Sequence, residues 1–215
     1  MKNLKTSIII LIFVLLIGGL GFIVVKNLNR DNKSNGVDSN IKNEEGKTGS
    51  TTLDSNKVLV IYFSETGNTQ KLAKLISDKV GGDFIKIETI QKYPTNYQDL
   101  VDYAEEEKNK NARPELKELN IDLDKYDTIF VGYPIWWYQM PMAMYSFFDT
   151  YDFSGKTIVP FNTHEGSGVS GTNDDIKKLE PKANVLKSLA IRGGDMEENQ
   201  IPTIEKWLNE LGFGN

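Results

Sequence analysis

A chain of 215 residues, 39% of them hydrophobic and 26% charged, is long enough for one domain with a buried core plus an appended segment. It contains no cysteine and a single histidine, His164, which excludes disulfides, thiolate or iron–sulfur ligation, thiol nucleophiles and imidazole-rich metal sites. The net charge of −5 is uneven: seven Lys/Arg and five Asp/Glu precede Lys57, leaving 18 basic and 25 acidic residues and a charge of −7 for the rest, which speaks against a nucleic-acid partner.

Residues 1–6 form a short basic N-terminus with Lys2 and Lys5. Residues 7–25 carry no charge and are dense in Ile, Leu and Val, enough at about 1.5 Å per residue to approach a ~30 Å hydrocarbon core. They read as a transmembrane anchor or uncleaved signal, because neither a small-x-small cleavage site nor a lipobox cysteine follows. Lys26, Arg30 and Lys33 balance Lys2 and Lys5, so charge bias does not orient the segment; its signal-like layout favours an extracytoplasmic domain. Residues 26–56 are rich in Asn, Ser, Gly, Lys and Glu, with too few apolar side chains to offset folding entropy, and are expected to be a disordered linker.

From residue 57 to 215 the pattern alternates. VLVIYF (58–63) is a continuous apolar run suited to a strand covered on both faces. Asn68 to Val80 repeats apolar residues at helical spacing and ends at Gly81 and Gly82. The alternation continues with FIKIETI, a polar helix from Tyr97 to Lys110, TIFVGY, a short apolar helix from Met142 to Thr150, TIVPFN, Asp174 to Leu179, VLKSLAI and Ile204 to Leu211. The glutamate run Glu105, Glu106, Glu107 reads as a wet helix face. Five strands interleaved with helices predict an α/β doubly wound parallel sheet, with ligands outside the carboxyl ends of the first, third and fourth strands.

Between the first strand and its helix lies Ser64-Glu65-Thr66-Gly67-Asn68-Thr69, a run of hydroxyl and amide residues around a glycine opening onto a helix N-terminus. Such a loop converges hydroxyls and unpaired N–H groups on a phosphate. No Lys or Arg occurs from Ser64 to Gln70, and the Walker pattern is absent, which argues against an ATPase. After the third strand, GYPIWWYQMP crowds Tyr133, Trp136, Trp137 and Tyr138 together, rings that a flat ligand would cover or the following helix would pack. After the fourth, Thr163-His164-Glu165-Gly166-Ser167-Gly168 has glycines that let backbone approach a ligand. Gly166, Gly168 and Gly171 match G-x-G-x-x-G, but behind the fourth strand the match carries no dinucleotide site. His164 suits either a proton partner or a solvated loop.

IYFSETGNTQKLA resembles the phosphate loop of flavodoxins, a hydrophobic strand followed by S/T-x-T-G-N-T and a helix. YPIWW and PFNTHEGSG are similar to the membrane-linked or secreted bacterial branch of flavodoxin-like proteins. The resemblance implies a flavodoxin-like five-stranded sheet of order 2-1-3-4-5, FMN as cofactor, its phosphate on Ser64, Thr66, Gly67, Asn68 and Thr69, and its ring near Pro134, Trp136, Trp137, Thr163, His164, Gly166 and Gly168. It also implies electron transfer with redox protein donors and acceptors at a membrane face, without catalytic residues of the protein's own. Flavodoxins often place a tyrosine from the fourth loop over the ring; none stands there here, so an NAD(P)H-dependent reductase of quinones or other small acceptors remains the alternative.

Overall fold

β1 (Val58–Phe63) consists of six apolar residues, all buried, because it is an interior strand and both faces are covered. A computed structural model describes residues 53–214, so the candidate anchor at 7–25 and nearly all of the linker lie outside the described residues. After β1 come α1 (Asn68–Val80), β2 (Asp83–Ile87), α2 (Tyr97–Asn109), β3 (Thr128–Pro134), α3 (Met142–Thr150), β4 (Thr157–His164), α4 (Thr172–Leu179), β5 (Asn184–Val185), β6 (Leu189–Arg192) and α5 (Ile201–Glu210). Among the described residues no helix is long and apolar enough to cross a membrane.

All strand pairs are parallel, and the order β2-β1-β3-β4-β5 is the one expected. Side chains alternate across β1: Leu59, Ile61 and Phe63 enter one core with α2, α3 and α4, while Val58, Val60 and Tyr62 enter another with α1 and α5. The two apolar layers hold the strand ends, and therefore the loops after β1, β3 and β4, in fixed register.

The expected fifth strand is broken in two, which makes the sheet six-stranded. β5 pairs Val185 with Ile158, whereas β6 pairs Ala190 with Asn162, so the offset grows by one residue between them and the chain bulges. Pro160 explains the break. The Leu186 N–H donates to the Ile158 carbonyl, and the next rung would need an N–H that Pro160 lacks. The Leu186 carbonyl accepts instead from Asn173 Nδ2 at 2.8 Å, and the Lys187 carbonyl from Trp207 Nε1 at 3.0 Å.

At the end of α4, burial pushes the Glu180 carboxyl up to about 7, with repulsion from Asp152 and Asp149 adding to it and a Phe153 backbone bond opposing it. Its ordinary value is 4.5, so ionisation destabilises the fold as pH rises from there, and the full cost is present above about 7. Glu180→Gln is expected to raise stability at pH 8 by about 1 kcal/mol, a figure reduced for solvent screening of a half-exposed group, and to leave it unchanged at pH 4. Urea unfolding at the two pH values checks this; an equal gain at both rejects it.

Candidate functional site

The chain leaves β1 at Ser64, whose buried Oγ accepts the N–H groups of Gly67 at 3.2 Å and Gln70 at 3.3 Å. Ser64 thus caps α1 from within the loop and keeps only its own O–H to donate outward. Gly67 turns the chain at φ 96°, in left-handed space, and a Cβ there would meet nothing within 4 Å. Its requirement is conformational: the turn aims the loop's N–H groups outward. Those of Thr66, Asn68 and Thr69 find no acceptor among the described residues. They form the positive end of a 13-residue helix, with no basic side chain between Ser64 and Gln70. Lys71, just beyond, is ion-paired with Glu197.

The buried Thr69 hydroxyl lies 2.7 Å from that of Thr163, joining the first loop to the end of β4. Gly193, after β6, closes the same corner: a Cβ there would stand 2.4 Å from Glu165 Oε1 and 2.6 Å from Asn68 Nδ2. The glycine lets three loops meet.

A cavity of about 520 Å³ opens beside this corner, within the usual range for small-ligand sites. Of the residues singled out from sequence, Thr66, Asn68, Pro134, Trp136, Trp137, Thr163 and His164 line it. Ser64, Gly67 and Thr69 shape the loop beneath, and Gly166 and Gly168 lie off the wall, in the turn beyond His164. The Gly166 N–H donates to His164 Nδ1 at 2.9 Å. Nδ1 therefore acts as an acceptor, which assigns the proton of the neutral ring to Nε2.

Trp136 and Trp137 have different surroundings. Phe63 and Tyr93 meet the Trp136 ring edge-on, with centroids at 5.5 and 5.4 Å. Trp137 lies against α2, its Nε1 donating to the Val101 carbonyl at 3.1 Å with Lys108 Nζ 5.8 Å from its ring. Trp136 and Gln139 exchange two backbone bonds of 3.0 Å around Trp137 at φ 49° and Tyr138 at φ 64°, a type I′ hairpin turn whose central positions normally hold Asn and Gly. Tyr138 is 75% exposed, so it offsets this strain with little packing. Tyr138→Asn is expected to stabilise the fold by up to about 1 kcal/mol, read as a higher midpoint in urea; destabilisation would show that the ring is held by contacts of its own.

Tyr97, Leu100, Val101 and Ala104 of α2 supply a cavity wall that is not among the residues singled out from sequence. Their i, i+3, i+4, i+7 spacing was the available signal, set among acidic residues. The glutamate run on the same helix is not uniformly wet: Glu107 is only 8% exposed, because it faces the Tyr93 hydroxyl. Ile135, Glu165 and Gly193 also line the cavity and went unassigned.

Fold and site together define a doubly wound α/β protein with a phosphate-type loop and an aromatic cavity at the switch point of strand order. A family model described as Flavodoxin matches residues 57–211, and the chain belongs to the flavodoxin family. Two crystal structures are similar at 31% identity. One, a candidate flavoprotein from Bacteroides eggerthii DSM 20697, aligns with a TM-score of 0.63 over 72% of this chain and 96% of its own. The other, a candidate flavoprotein from Bacteroides uniformis ATCC 8492, aligns with a TM-score of 0.64 over 73% and 99%. A Lactobacillus acidophilus NCFM flavoprotein crystallised with FMN shares the fold at 21% identity, with a TM-score of 0.54 over 66% and 97%. No curated protein matches the chain.

Proposed function

We propose that this protein is an FMN-binding electron carrier held at a membrane face by residues 7–25. The observation that carries the reading is the joining of an anion loop and an aromatic wall around one cavity. The residues fit FMN: neutral N–H donors and the helix end suit a phosphomonoester, and the apolar wall suits a flat ring. When bound, FMN supplies reversible one- and two-electron chemistry.

The protein's own part is to bind and shield. The N–H groups of Thr66, Asn68 and Thr69, with the Ser64 hydroxyl, hold the phosphate. Trp136, Pro134 and the α2 stripe exclude water from the ring. His164 presents Nε2–H from the end of β4 as a hydrogen-bond donor, since Nδ1 is engaged by Gly166. Redox proteins at the membrane face serve as donor and acceptor, and the domain sits outside the cytoplasm.

Titrating the flavin-free full chain with FMN tests the site; a chain without affinity for FMN rejects it. Anaerobic addition of NADH or NADPH then separates the two activities: slow bleaching supports the carrier, and rapid bleaching assigns a reductase. Protease treatment of intact cells tests the topology, because loss of the domain to external protease is expected and its survival would place it inside.

A further inference from the structure

Glu107 occupies the buried face of α2, where an aliphatic residue would cost nothing to desolvate. Its Oε2 accepts the Tyr93 hydroxyl at 2.7 Å. Tyr93 is 5% exposed, in the connection between β2 and α2, and its ring meets three others edge-on: Phe63 at 5.5 Å, Tyr103 at 5.4 Å and Trp136 at 5.4 Å. Phe63 meets Trp136 as well, with the planes 82° apart. The indole that lines the cavity is thus gripped by two perpendicular rings, one fixed by β1 and the other by its hydroxyl. Ala104, three residues before Glu107 on the same helix, lines the cavity too.

We propose that Tyr93 and Glu107 are positioning residues for Trp136: their bond ties the β2–α2 connection to α2 and sets the plane of the indole and its distance from the α2 wall. The slot so defined receives the flavin ring, which rests on the FMN reading above. Burial raises the Glu107 carboxyl and the Tyr93 hydrogen bond opposes that rise. Burial followed by Glu107 raises the phenol, so Tyr93 remains a protonated donor through the neutral range. A phenylalanine in place of Tyr93 would keep every ring contact and leave the carboxylate buried without its donor.

The test uses the flavin-free full chain, titrated with FMN by fluorescence quenching, together with visible circular dichroism of the bound flavin. Tyr93→Phe and Glu107→Leu are each expected to weaken FMN binding about tenfold and to change the dichroism, whereas Glu107→Gln, which keeps an acceptor, stays within about threefold of wild type. Tyr93→Phe retains the packing, and Glu107→Leu fills the space with an apolar side chain, so the two reach the same prediction by independent routes. Wild-type affinity and dichroism in both variants would overturn the proposal even if they melt at a lower temperature, since the pair would then be merely structural. A wild-type chain that fails to bind FMN would instead sink the flavin reading, and this proposal with it.

Discussion

Gly67→Val is expected to weaken FMN binding about 100-fold while leaving riboflavin affinity within about threefold of wild type. The residue sits at φ 96°, where an L side chain is strained, and a Cβ there would touch nothing within 4 Å. A clash is therefore not the cause. To escape the strain, of roughly 1–2 kcal/mol, the backbone must rotate, and the N–H groups of Thr66 and Asn68 turn away from the anion. Losing one or two charge-assisted bonds at roughly 1.5–3 kcal/mol each brings the total to about the 2.7 kcal/mol that 100-fold requires. Riboflavin lacks the phosphate and so does not sense the loop. Parallel titrations with the two ligands check this; equal losses for both would mean that the substitution disturbs the whole cavity.

Trp136→Ala is expected to weaken FMN about thirtyfold, about 2 kcal/mol, and Trp137→Ala no more than about threefold. Both indoles line the cavity, but only Trp136 is braced from behind by Phe63 and Tyr93, so its ring is held ready for a ligand. Trp137 spends its Nε1 on the Val101 carbonyl and lies beside Lys108. Its loss falls mainly on the anchoring of α2, read as a lower midpoint of urea unfolding. The reverse ranking in FMN titrations would assign the flavin wall to Trp137.

The elements nearest the phosphate loop were the most legible from sequence. Val58–Phe63 and Asn68–Val80 match the expected strand and helix because period, breaker glycines and loop chemistry agree locally. The break of the fifth strand was not legible, since its cause, Pro160, lies in the neighbouring strand and removes a bond that only pairing reveals. Trp137 and Tyr138 gave no turn signal, because large aromatics are poor formers of the left-handed turn they occupy. In the sequence Glu107 reads as part of a solvated charge run; its burial depends on Tyr93, 14 residues away and outside the helix. At the site, residue types announced an anion loop and a ring wall, but which side chains reach the cavity and which brace it was decided by tertiary contacts such as Thr69 with Thr163.

The interrupted fifth strand also governs how copies of the protein behave toward one another. A long, regular outer strand is a template onto which another chain can add its own strand. Here that border is a two-residue piece and a four-residue piece, out of register by one residue. Between them, the carbonyls of Leu186 and Lys187 are already occupied by Asn173 and Trp207. That border of the sheet is therefore self-terminating, a poor template for strand-to-strand addition at this edge.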